Sequence, residues 1–184
     1  MIPISYFVPI ISRVVTKKFM EVLFLDFDGV LVTEQSYFYW ERQKDRKRSE
    51  LNAARCCPVA ISNLNYLCTE LPDLRIVISS TWRRYHSLKD LQTILEEDGF
   101  THKDRIIDVT PRRRLDGEGR GTEIAAWLDG HKKVTDWVAI DDHQDNIPED
   151  HIILTRQEVG FMIDDAYQII ERFKKKWKRP LFLM

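Results

Sequence analysis

Apolar residues in this chain fall into short unbroken runs and into stripes of helical spacing, and the two patterns alternate from Val22 to Phe173. The runs Val22–Leu25, Leu74–Ile78, Ile106–Val109, Trp137–Ile140 and Ile152–Leu154 lack an inside–outside alternation and read as strands buried on both faces. Between them, Ile61, Leu64, Leu67, Cys68 and Leu71 recur every three or four residues, and Pro72 closes that helix. Leu88, Leu91 and Leu95 mark a second helix, ended by Gly99. Ile124, Ala125 and Leu128 mark a third, with Thr122 as its N-cap and Gly130 as its stop. Ile163, Ala166, Tyr167, Ile170 and Phe173 line one face of the last. Buried strands alternating with helices predict an α/β domain with a mostly parallel sheet, whose sites lie beyond the carboxyl ends of the strands.

Two stretches stand outside this pattern. Thr33 to Arg55 is irregular: Tyr37, Phe38, Tyr39 and Trp40 precede Arg42, Lys44, Arg46, Lys47 and Arg48, and residues 33–58 offer room only for a small insert. Met1 to Val15 is rich in Ile, Val, Tyr and Phe but interrupted by Pro3, Pro9, Ser12 and Arg13. It is too short and broken for a spanning helix of about 20 apolar residues, and its positive charge follows the apolar stretch where a secretory signal would carry it first. The expected division is an N-terminal extension at 1–19, a folded domain at 20–178 and a tail at 179–184.

Composition narrows the function classes. With 184 residues, 43% hydrophobic and 31% charged, the chain has the makeup of one soluble domain with a real core. A net charge of -1 provides no global field for nucleic acid or an anionic membrane, so any such preference rests on local clusters. Cys56, Cys57 and Cys68 form neither a CxxC pair nor a disulfide framework, which fits a cytoplasmic location.

The chemistry concentrates at the strand ends. Asp26 and Asp28 follow the first strand, and the two-residue repeat of an extended chain points both the same way, with Gly29 turning the chain behind them. Like charges held that close raise a pKa unless a cation neutralises them, and a hard ion such as Mg2+ favours carboxylate oxygens. Ser79 and Ser80 follow the second strand; Asp141, Asp142 and Asp145 follow Trp137–Ile140. Arg120 stands at a predicted helix start, where it and backbone amides suit a phosphate.

This order of parts resembles the haloacid dehalogenase-like (HAD) hydrolase superfamily, a three-layer Rossmann-like fold, over roughly Met20 to Phe173. The pieces SSTWR at Ser79–Arg83, RGTEIAAWL at Arg120–Leu128 and AIDD at Ala139–Asp142 are more narrowly similar to the HAD domain of Swiss-army-knife RNA repair proteins. The resemblance implies an Mg2+-dependent phosphatase in which Asp26 attacks phosphorus and Asp28 serves as acid and then base. Ser79, with Ser80 as the alternative, would bind a phosphoryl oxygen. Asp141 would hold the metal with Asp26 and the backbone carbonyl of Asp28, supported by Asp142 or Asp145. The family's usual basic residue is Lys; here Arg120 takes its place, with Arg114 as the rival.

Secondary roles follow. Arg83 or Arg84 would reach a second phosphate, His143 a leaving group, and Trp82 would stack on a base or pack at the rim; Trp127 and Trp137 read as core. No segment is long enough for a large cap domain, so an open site favours large phosphomonoesters such as RNA or DNA ends, with nucleotides next. The opposing reading is a catalytically weak module that binds a phosphorylated or nucleic-acid partner. The sequence leaves the oligomeric state open.

Overall fold

The computed structural model describes residues 20–42, 55–112 and 119–177. Five strands form one sheet, β1 (Met20–Leu25), β2 (Arg75–Ile78), β3 (Ile106–Val109), β4 (Val134–Asp141) and β5 (Ile152–Leu154), in the spatial order β3-β2-β1-β4-β5. Every pairing is parallel. Helices α1 (Glu34–Glu41), α2 (Pro58–Glu70), α3 (Leu88–Glu97), α4 (Arg120–Gly130) and α5 (Ile163–Trp177) connect or follow the strands. No helix among the described residues is long and apolar enough to cross a membrane.

Alternation along the strands makes three layers. Leu23, Leu25, Ile76, Ile78, Val138 and Ile140 face α2, α3 and α5, whose Leu64, Leu67, Leu91, Ile94, Ile169 and Phe173 fill that side. Val22, Phe24, Val77 and Ala139 face α4, where Ile124 and Trp127 cover them. Phe24 meets Trp127 and Trp137 edge-on at 5.4 and 5.6 Å. Trp127 is buried as expected, whereas Trp137 is only partly covered.

Two differences from the sequence pattern have clear causes. In α5 the buried face runs through Ala166, Ile169, Ile170 and Phe173, while Tyr167 is half exposed at its border and meets Tyr66 edge-on at 5.9 Å. The irregular stretch after β1 contains α1, which carries no apolar stripe and is instead fixed at its start. Thr33 Oγ1 accepts the Ser36 N–H at 3.1 Å, and Ser36 Oγ accepts the Thr33 N–H at 3.0 Å. Trp40 anchors its other end, donating from Nε1 to the Cys56 carbonyl at 2.8 Å beneath the Arg55 guanidinium. Tyr37, Phe38 and Tyr39 remain exposed. The extension at 1–19, the basic residues Lys44, Arg46, Lys47 and Arg48, and the tail at 179–184 lie outside the described residues.

Candidate active site

Order reversal between β1 and β4 opens a crevice at their carboxyl ends, and the same alternation that sorts the core carries the polar residues into it. Asp26 continues the Val22–Phe24 side and Asp141 the Ala139 side, so both carboxylates lie toward α4. The strand ends are tied across: the Asp26 N–H donates to the Ile140 carbonyl at 3.1 Å and the Ser79 N–H to the Leu25 carbonyl at 2.8 Å. Phe27, fully buried, turns the chain, its carbonyl accepting from the N–H groups of Leu31 and Val32, each at 2.8 Å. Thr155 closes the turn from β5, its hydroxyl donating to the Gly29 carbonyl at 2.9 Å and its N–H to the Asp141 carbonyl at 3.0 Å.

Asp26 and Asp28 take different partners, contrary to the expectation that they point the same way. The strand ends at Leu25, so the two-residue repeat no longer governs Asp28. Asp26 is buried, whereas Asp28 is exposed and receives the Trp82 indole N–H, with Nε1 at 3.1 and 3.0 Å from its two oxygens.

Arg120 binds the cluster together. Its Nε lies 3.1 Å from Asp141 Oδ2 and its Nη2 3.5 Å from Asp26 Oδ2, and Nη1 donates to the Ser79 carbonyl. The helix that presents it starts three residues earlier than expected: the N-cap is Gly119, not Thr122. A Cβ on Gly119 would lie 2.4 Å from Asp145 Oδ1, so only glycine lets the helix end come this close to the loop after β4. That loop supplies the cap, Asp145 Oδ2 accepting the Arg120 N–H at 2.8 Å and Asn146 Oδ1 the Gly121 N–H at 3.0 Å. Asp145 is thereby engaged as a helix cap, a role that suits an anion at a helix N-terminus.

The SSTWR segment is an internal scaffold. Ser79 is buried, and among the described residues its hydroxyl has no hydrogen-bond partner. Ser80 Oγ accepts the Trp82 N–H at 3.4 Å. Arg83 is buried and its guanidinium pairs with Glu123 of α4 and with the Ser80 carbonyl. Its charge is therefore paired inside the protein, and of the two arginines expected to offer a second phosphate contact Arg84 is the exposed one. Arg112 donates to the Arg83 carbonyl, and Arg114 lies outside the described residues.

Electrostatics set what the cluster asks for. Burial raises the Asp26 carboxyl above its ordinary range, opposed by Arg120 and by hydrogen bonding from Ser80. Asp141 is pushed up to about 7, first by burial and then by Asp26, again opposed by Arg120. One guanidinium does not offset two buried carboxylates. Asp142 is nearly buried and its Oδ1 lies 2.8 Å from Nδ1 of the exposed His143, whose pKa that contact raises. Ligand atoms of Asp141, Asp142 and His143 lie within 4.8 Å of one another. Beside them, Arg120, Asp141, His143, Gln144 and Asp145 line a cleft of about 380 Å³. Asp26 Oδ1 is also buried and, among the described residues, unpartnered. Spare buried oxygens and excess negative charge fit a hard divalent cation.

Sequence reasoning missed the Trp82–Asp28 contact and the Arg83–Glu123 pair. Their only signal was the adjacency of Trp82 and Arg83 to the serines in SSTWR, since partners in α4 and after β1 are far away in the chain.

The family model describing the HAD domain in Swiss Army Knife RNA repair proteins matches residues 22–166. Among solved structures, the HAD domain of the effector protein Lem4 from Legionella pneumophila is similar in fold. It is 15% identical with a TM-score of 0.51, and the alignment covers 84% of this chain and 95% of that one. A haloacid dehalogenase-like hydrolase from Streptococcus pneumoniae aligns at 10% identity and a TM-score of 0.48, over 86% of this chain and 100% of that one. Comparison with curated proteins gives no match.

Proposed function

Because the chain belongs to the family of HAD domains in Swiss Army Knife RNA repair proteins, we propose that it is an Mg2+-dependent phosphomonoester hydrolase working through an aspartyl-phosphate. The observation that carries this reading is the buried Asp26 carboxylate, held by Arg120 against Asp141, with the Ser79 hydroxyl, unpartnered among the described residues, at the neighbouring strand end. Asp26 and Asp141 would hold the cation, with the Asp28 carbonyl and Asp142 completing the protein's share. When bound, Mg2+ supplies positive charge that offsets the repulsion between carboxylate and phosphate.

The protein's own groups account for the remaining chemistry. An Asp26 oxygen forms a bond to phosphorus while the bond from phosphorus to the leaving oxygen breaks. Asp28, protonated, gives its proton to that oxygen, then takes one from the water that attacks the aspartyl-phosphate and frees Asp26. Ser79 donates to a phosphoryl oxygen, and Arg120 supplies further positive charge where negative charge develops. Asp26, buried, must be ionised for attack, whereas the exposed Asp28 can exchange its proton with solvent between the two steps.

A large substrate such as a phosphorylated RNA or DNA end is favoured over a free metabolite. Two observations support this: α1 is the single helix described between β1 and α2, and its exposed Tyr37, Phe38 and Tyr39 offer faces on which bases stack. The test is hydrolysis of 3′- and 5′-phosphorylated oligonucleotides, nucleotides, sugar phosphates and phosphopeptides with Mg2+ or with chelator. Turnover of oligonucleotide ends that disappears in chelator is the expected result. Binding without turnover would assign the chain to a non-catalytic module, and preference for sugar phosphates would remove the nucleic-acid substrate.

A further inference from the structure

We propose that Trp82 is a positioning residue for Asp28, fixing through its indole N–H the carboxyl that exchanges protons during phosphoryl transfer; this rests on the phosphatase reading above. Asp28 follows the strand end and is exposed, so its backbone is held by the turn while its side chain is left to rotate. The Trp82 indole donates to the Asp28 carboxylate, with Nε1 at 3.0 and 3.1 Å from the two oxygens. A donor to a carboxylate is charge-assisted, and an indole N–H neither accepts nor releases a proton at working pH. Trp82 can therefore orient Asp28 without competing for the proton that Asp28 transfers.

The indole is itself held on several sides. Its ring lies against buried Phe27, centroids 5.0 Å apart, one residue before Asp28. Its backbone N–H donates to Ser80 Oγ, and its carbonyl accepts from Tyr85 and His86, both at 3.0 Å. The next residue, Arg83, is buried and strapped to Glu123. Packing on Phe27 needs only an aromatic ring. The N–H aimed at Asp28 is what a phenylalanine would lack. SSTWR thus reaches both carboxylates of the first strand end, Ser80 acting on Asp26 and Trp82 on Asp28.

A double-mutant cycle tests this, using wild type, Trp82→Phe, Asp28→Asn and the double variant with Mg2+, on an alkyl phosphomonoester and on p-nitrophenyl phosphate. Trp82→Phe should lower kcat on the alkyl ester by about tenfold to a hundredfold with KM little changed, because misplacing a proton-transfer group costs rate rather than binding. In the Asp28→Asn background the same change should cost nothing further, since the group it positions is gone. On p-nitrophenyl phosphate, whose leaving group needs little protonation, Trp82→Phe should show a burst of p-nitrophenolate as the water step becomes limiting. Replacing Trp82 by benzothienylalanine, which keeps the ring shape and removes only the N–H, should reproduce the loss with an unchanged Tm. Fully additive losses, a change confined to KM, or an unchanged kcat in an active wild-type background would overturn the positioning role alone. A wild type inactive on every ester would overturn the phosphatase reading and this inference with it.

Discussion

Gly29 lies so close to Asp142 that a Cβ on the glycine would come within 2.4 Å of Asp142 Oδ2 and 2.7 Å of Asp142 Cβ. Because the contact reaches the root of the Asp142 side chain, a rotamer change does not relieve it. Gly29 also has φ +71, a conformation that other residues adopt at a cost of about 1–3 kcal/mol. Gly29→Ala should therefore lower stability by at least about 2 kcal/mol and displace the loops after β1 and β4 from one another. Urea denaturation checks the first effect and weakened Mg2+ binding by titration calorimetry the second; a variant of wild-type stability would mean the loops separate freely.

Asp26→Asn should reduce turnover by about 10⁴-fold or more, since an amide is a poor nucleophile. The fold should survive. Burial already disfavours the charged form of Asp26, and Arg120 keeps Asp141 as a partner, so the neutral isostere should match or exceed wild-type Tm in chelator at pH 8. Calorimetry with and without chelator reads this; a large loss of Tm would show that the Arg120–Asp26 pair outweighs the burial term.

The raised Asp141 pKa fixes the sign of the pH dependence. Between the ordinary carboxylate value near 3.8 and about 7, the folded protein keeps a proton that the unfolded chain has released. Stability of the metal-free protein therefore falls as pH rises through that window and levels off above it. Asp26, also raised, adds in the same direction. Mg2+ competes with those protons, so the Tm gain it gives should be small at pH 5 and large at pH 8. Thermal scans at both pH values, with Mg2+ and with chelator, measure the difference; an equal gain at both would remove Asp26 and Asp141 as ligands.

Arg83→Ala should act on stability before it acts on substrate binding. Removing one partner of the buried Arg83–Glu123 pair leaves the other charge unpaired, a loss of about 3–5 kcal/mol. Glu123→Gln should also destabilise, and neither change should selectively raise KM for oligonucleotides. A stable Arg83→Ala protein with a raised oligonucleotide KM would return Arg83 to the substrate.

By itself the sequence determined the alternating strands and helices, the parallel sheet and the edge at which chemistry collects. Those follow from periodicity within ten or fifteen residues, which is why Ile106–Val109 and Ile152–Leu154 are read to the residue. It also placed Asp26, Ser79, Arg120 and Asp141 together, since parallel strands bring all their carboxyl ends to one side. What it left undecided were contacts between segments distant in the chain. Asp145 caps α4 across 25 residues, Trp82 meets Asp28 across 54, and Arg83 turns to Glu123 across 40. The helix start at Arg120 belongs with these, because its cap comes from another loop and leaves no local mark beyond Gly119. A charged or polar side chain at a strand end has several partners within reach, and only the packed backbone selects among them. Burial then decides the electrostatics: Asp26 and Asp28 differ little as letters two positions apart, yet one is closed in under Arg120 and the other lies open beneath an indole.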